Sequence, residues 1–289
     1  MAASAMQLLL RSRAKTQVVT TGPKGVTPND AVICSPVETL VEMSPDGRFL
    51  AVVQADALRL IELASGTEVF SLPRPAVRAL SFSPRGTYLL TWEKLVEGEG
   101  DNLRLWRCSD GAFVVGFMQK VLGEKWQWPA LRWSSDETVY ARAVSNEVQF
   151  FDGSAPSNAV AHRLKVERVN HFALAPATAG SPPLVATFVP EVKGAPATVR
   201  LWRYPDFGEG RFLASKTFFK ASEAQLKFSP DGQHLLVRTH VDVDTGGKSY
   251  DGASGLFYMN AKGELSYLGI TNLHLSKCRA RGTTGRCFV

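Results

Sequence analysis

The sequence predicts an all-β protein, a WD40-like β-propeller with about five blades present. Three observations carry this: a hairpin turn recurs along the chain, an alternating strand follows each copy, and the copies are spaced by roughly one four-stranded blade.

The turn reads MSPDGRFLAV from Met43, FSPRGTYLLT from Phe82, WSSDETVYAR from Trp133 and FSPDGQHLLV from Phe228, with a worn copy around Leu174. An aromatic residue or Met precedes a Ser, a tight turn follows, and an apolar strand leaves it. Pro fixes φ, Asp bonds the backbone ahead of it, and Gly supplies positive φ. The second pattern is LRLIEL from Leu58, LRLWRC from Leu103, VQFFDG from Val148, VRLWRY from Val199 and LFYMNA from Leu256. Apolar and polar residues alternate, and several copies end in a turn (ASG, SDG, NAKG) before another short strand, making four strands per unit. Pro45, Pro84, Ser135, Pro176 and Pro230 mark the turns, at spacings of 39, 51, 41 and 54 residues. The long spacings come from swollen hairpins between the middle strands: EKLVEGEGDN before Leu103, VPEVKGAPAT before Val199, and HVDVDTGGKSYDG (His240 to Gly252) before Leu256. Insertions at one repeat position fall on one face of the disc, where binding is expected.

Composition agrees with a globular chain: 45% of residues are hydrophobic and 21% charged. MQLLLRSR has too short an apolar run for a signal peptide, and no later run approaches a membrane span, so a soluble, cytoplasmic protein without membrane partners is expected. Cys34, Cys108, Cys278 and Cys287 form no CxxC pair and no zinc spacing, which fits a reducing compartment. The net charge of +6 sits in the ends: Arg11, Arg13 and Lys15 at the start, and Lys277, Arg279, Arg281 and Arg286 after residue 268. The body is near neutrality, so it is not a generic basic clamp, and no DNA partner is expected.

The glycine-rich hairpin invites two site readings, and ligand spacing disfavours both. Counted from Asp242 as a calcium loop, the fifth position is Gly246 and the twelfth Ala253, where ligands are required. As a phosphate loop it has Asp242 in place of the first Gly. Trp126, Trp128 and Trp133 cluster in EKWQWPALRW; propeller tryptophans mostly pack between blades, and Trp126, at the strand entrance, is the one best placed for base stacking. Trp106 and Trp202 share a repeat position and are expected to pack. No histidine pair has metal spacing, no nucleophile elbow is present, and neither Cys34 nor Cys108 has an adjacent His. No catalytic residue, metal or cofactor is expected, and an enzyme is disfavoured.

Several stretches resemble one family, eukaryotic translation initiation factor 2A: EKWQWPALRWSSDETVYARAVSNEVQFFD (Glu124 to Asp152), KGAPATVRLWRYPDF (Lys193 to Phe207), SKTFFKA (Ser215 to Ala221), and the glycine-rich hairpin continuing into SGLFYMNAKGE. The resemblance covers most of residues 7 to 264 in register. It implies a larger, nine-bladed propeller followed by a basic extension. It also implies a non-enzymatic factor that binds the small (40S) ribosomal subunit and promotes delivery of initiator methionyl-tRNA to mRNA without hydrolysing GTP. On the shared loop face, Lys193, Lys220, Lys248 and Trp126 are the candidate RNA or ribosome contacts. The chain departs from the family after about Leu265, where GITNLHLSKCRARGTTGRCFV replaces the next blade. The expected division is therefore propeller over residues 1–268 and a disordered basic tail over 269–289, a truncated form whose blades make an open crescent. The competing reading is a propeller scaffold for protein partners that has lost the initiation role by truncation.

Overall fold

Each copy of the turn joins the first two strands of a four-stranded antiparallel sheet, and five such sheets follow one another. The computed structural model describes residues 6–11, 16–22, 25–34, 40–98, 100–120, 128–177, 182–208, 210–219, 221–240 and 255–270. A three-stranded sheet comes first: β1 (Met6–Arg11), β2 (Thr16–Gly22) and β3 (Gly25–Cys34). The first blade is β4 (Leu40–Met43), β5 (Phe49–Val53), β6 (Leu58–Glu62) and β7 (Glu68–Leu72); the second is β8 (Val77–Phe82), β9 (Tyr88–Glu93), β10 (Leu103–Arg107) and β11 (Phe113–Phe117). The third is β12 (Arg132–Trp133), β13 (Val139–Val144), β14 (Glu147–Asp152) and β15 (His162–Lys165); the fourth is β16 (His171–Leu174), β17 (Leu184–Val189), β18 (Ala197–Arg203) and β19 (Ala214–Phe218). The fifth is β20 (Glu223–Phe228), β21 (His234–His240), β22 (Gly255–Asn260) and β23 (Leu265–Ile270). The five repeats are thus five blades, and the opening three-stranded sheet is an element the repeat did not reveal. Residues 271–289 lie outside the described residues, as does nearly all of the glycine-rich hairpin. No helix among the described residues is long and apolar enough to cross a membrane.

The repeated Ser has a definite task. Ser44, Ser83 and Ser134 are each 1% exposed, and their hydroxyls accept the backbone N–H of Phe49 (2.8 Å), Tyr88 (2.9 Å) and Val139 (3.0 Å). Ser229 repeats the bond to His234 at 3.1 Å. The hydroxyl closes the turn onto its outgoing strand, and a buried donor that would otherwise go unpaired is satisfied. Gly47, Gly86 and Gly232 supply the positive φ of these turns; in the third blade Glu137 takes that conformation, at φ 63°. Its carboxylate explains its place there. Glu137 Oε1 accepts the backbone N–H of Arg85 at 2.6 Å, joining the third blade's turn to the second's. The Arg48 guanidinium likewise donates to the Arg85 carbonyl (3.0 Å), and Ser135 Oγ accepts from Ala177 N (2.8 Å).

Internal blades are buried on both faces, so their middle strands read as nearly continuous apolar runs. All five residues of β5 are buried, as are five of the six in β17. Trp106 and Trp202 are buried as expected, each donating its indole N–H to a threonine one strand away, Thr91 and Thr187, both at 2.9 Å. Apolar clusters join neighbours in chain order: the opening sheet to the first blade through Val18, Leu50 and Val52, the first to the second through Phe49 and Trp106, the second to the third through Phe117, Tyr140 and Phe151. Phe150 and Trp202 join the third to the fourth, and Phe188 and Val237 the fourth to the fifth. Among the described residues no cluster joins the fifth blade back to the opening sheet, and the arc is open. β21 shows it: it alternates exposed and buried, with Leu236 and Arg238 on the uncovered face.

Candidate functional site

In a blade of this topology, the hairpin between the second and third strands and the connection to the next blade lie at the same end. The long loops therefore share one rim. In the second blade the rim is held by a buried polar network around Glu93. Arg104 reaches the Glu93 carboxylate at 3.1 Å with both side chains about nine-tenths buried, and Arg74 approaches it at 3.6 Å. Asn102 donates to the carbonyls of Glu93 and Gln119, both at 2.8 Å, and accepts from Gln119 N at 2.7 Å. Trp92 Nε1 donates to the Gln119 carbonyl at 3.0 Å. These bonds tie the 93–102 hairpin to the connection that follows β11. Breaking a buried ion pair from one side costs about 3–5 kcal/mol, so loss of either Glu93 or Arg104 would loosen this part of the rim.

Just inside the rim, arginines recur. On the third strand, Arg59 pairs with Val52, Arg104 with Thr91 and Arg200 with Thr187; in the third blade Arg142 stands on the second strand opposite Gln149. In the first two blades these charges are neutralised: Arg59 lies 2.9 Å from Asp56 and 3.7 Å from Glu68, and Arg104 has Glu93. In the later blades they are not. Arg142 stacks over Phe117 at 4.8 Å and donates to the Met118 carbonyl at 3.3 Å, and Arg200 lies 5.6 Å from the Phe212 ring centre. Neither has a carboxylate partner among the described residues, and the Nε atoms of both, like those of Arg238 and Arg59, are buried without an acceptor. Burial holds the Arg142 guanidinium below its usual range. Positive charge without compensation thus collects in the third to fifth blades, although the body of the chain is near neutral.

Of the residues singled out from sequence, Lys193 is exposed on the tight turn between Val192 and Ala195, at the tip of the fourth blade's long hairpin. Lys220, Lys248 and Trp126 lie outside the described residues. Trp128 and Trp133 are half-buried between the second and third blades, Trp128 donating to the Leu80 carbonyl at 2.8 Å and Trp133 stacking on Tyr88 with ring centres 5.3 Å apart. Sequence reading missed the arginines. Their signal was present in the second residue of the third-strand pattern, Arg59, Arg104, Gln149 and Arg200, but alternation alone marks it only as polar. Burial pushes the Cys108 thiol up, away from reactivity. Among the described residues no group of three His, Cys, Asp or Glu side chains is placed to hold a metal ion.

Residues 216–274 match the family model described as Eukaryotic translation initiation factor eIF2A. The chain is 35% identical to eukaryotic translation initiation factor 2A of Dictyostelium discoideum over 232 residues, 80% of this chain and 38% of that protein. It is 36% identical to the Schizosaccharomyces pombe protein of the same name over 225 residues, 76% of this chain and 38% of that one. The chain thus spans about two fifths of the length of these relatives. A solved structure titled as a eukaryotic initiation factor superposes with a TM-score of 0.73 at 31% identity, covering 91% of this chain and 62% of the other. The repeats, the loops that interrupt them and these matches agree, and the chain belongs to the eukaryotic translation initiation factor 2A family.

Proposed function

We propose that this chain is a non-enzymatic, cytoplasmic translation initiation factor that binds the small ribosomal subunit through the loop rim of its propeller and promotes delivery of initiator methionyl-tRNA to mRNA without GTP hydrolysis. The observation that carries the reading is the 31% identity to the solved initiation factor over 91% of the chain. The uncompensated arginines of the later blades support it, because ribosomal RNA is a polyanion and such charges gain most from meeting one. In this reading residues 1–268 are the binding propeller and 269–289 a separate basic tail, with Lys193, Lys220, Lys248 and Trp126 among the contacts. Co-sedimentation with 40S subunits through sucrose at low salt tests it. The factor is expected in the subunit peak and is expected to leave it as salt is raised. Absence from the peak at low salt refutes subunit binding and leaves a propeller scaffold for protein partners.

A further inference from the structure

Between the third and fourth blades, where β12 and β16 begin, Arg132, Asn170 and His171 line a narrow cleft walled otherwise by Pro129, Ala143 and Phe172. Arg, Asn and a neutral His all donate hydrogen bonds, and among the described residues no carboxylate lines the cleft. Arg132 has no ion pair and no side-chain hydrogen bond among the described residues, in contrast to Arg104 with its Glu93. Burial holds its guanidinium below the usual range, and burial with the nearby Arg132 charge pushes His171, itself 6% exposed, down to about 3. His171 is therefore a neutral imidazole that still carries one N–H. Arg132 is half-buried, and a charge partly withdrawn from water is ordinarily paired, so an open cleft that presents donors and an unpaired guanidinium suits an anion. Its approach is positive as well. Lys165 and Arg168 are exposed on or beside the connection that ends at Asn170, where Glu167 is the only acid.

We propose that the cleft formed by Arg132, Asn170 and His171 holds one phosphodiester group of single-stranded RNA, with Lys165 and Arg168 meeting the flanking phosphates. The Arg132 fork takes the two non-bridging phosphate oxygens, and the Asn170 and His171 N–H groups donate to their remaining lone pairs. The lysine and arginine outside favour a ligand whose charge repeats along a strand. The proposal deepens the ribosome-facing reading, and it is tested without ribosomes so that the two can fail separately.

The test uses the full chain, a fluorescein-labelled oligouridylate of about twelve nucleotides and anisotropy titrations between about 50 and 200 mM KCl. The wild type is expected to bind with a salt dependence set by several phosphates. Arg132→Met is expected to weaken binding about tenfold at low salt and to lower the log–log salt slope by about 0.7, the share of one single-strand phosphate. Its melting temperature is expected to hold, because the half-buried Arg132 makes no ion pair or side-chain hydrogen bond that the substitution would break. The exposed double variant Lys165→Ala/Arg168→Ala guards against misfolding of the first, and is expected to lower the slope by about 1.4 at unchanged melting temperature. No RNA binding by the wild type, or wild-type affinity and slope in both variants, overturns the proposal. Displacement of the RNA by polyglutamate at equal charge concentration also overturns it, in favour of an acidic protein ligand. Intact RNA binding with no 40S co-sedimentation overturns the ribosome reading alone.

Discussion

Lowering the pH from 7.5 to 5.0 is expected to destabilise the protein through His171 by about 2 kcal/mol. In the folded chain the imidazole is buried and titrates only near 3; in the unfolded chain it titrates near its ordinary value of 6.5. Between those values the unfolded state binds the extra proton, so stability falls as pH falls through that window. At pH 5.0 the unfolded state lies about 1.5 units below its own titration point and the folded state is still neutral. At 1.36 kcal/mol per unit this gives about 2 kcal/mol, and at pH 7.5 the contribution vanishes. Other groups titrate over the same range, so the quantity to measure is a difference between two chains. Urea unfolding of the wild type and of His171→Asn, each at pH 7.5 and 5.0 in phosphate-free buffer, isolates the histidine. The wild type should lose about 2 kcal/mol more than the variant over the interval. Equal losses in the two chains would refute the reasoning, since they would mean that His171 titrates in the fold as it does in water.

Three further outcomes follow from packing and hydrogen bonding, each checked by urea or thermal unfolding. Glu137→Ala keeps a side chain at φ 63° and loses the charged bond to Arg85, and should cost about 1.5–3 kcal/mol; Glu137→Gly should recover about 1 kcal/mol of that by removing the conformational penalty. Thr91→Val and Thr187→Val each leave a buried tryptophan N–H without an acceptor and should destabilise by about 1–3 kcal/mol, whereas the exposed Thr67→Val should be near neutral. Gly153→Ala would place a Cβ 2.0 Å from the Glu137 carbonyl oxygen, and because that neighbour is backbone the expected loss is at least about 3 kcal/mol.

Four of the five blades were legible because their first turn carries chemistry that few other structures need, and the fourth blade was read from a worn copy and its spacing. A Ser buried beneath its own hairpin and a Gly at positive φ leave a mark that survives even where Glu137 stands in for Gly. The opening sheet was not legible for the same reason. Among the described residues three strands, β1 to β3, stand there, and MQLLLR, TQVVTTG and GVTPNDAVIC show β-forming residues without the marker turn. The loop rim could be read from the swollen spacings, and Lys193 stands on it. Which charges on that rim are free could not be read. Arg59 and Arg200 occupy the same repeat position, yet one faces Asp56 and Glu68 and the other a phenylalanine ring. That difference depends on residues from other strands and loops, and alternation in one strand does not encode it.

Because the arc is open, its stability should be graded along the chain. In a stack with nearest-neighbour interfaces, the first to fourth blades are each gripped on two sides, whereas among the described residues the fifth blade and the opening sheet are gripped on one. The free energy of local opening should therefore peak in β9, β13 and β17 and decline toward β1 and β23, and amide exchange would record that slope residue by residue. Proteases should trim the molecule from its two ends inward, leaving the middle blades, with the cleft between the third and fourth, as the longest-lived core.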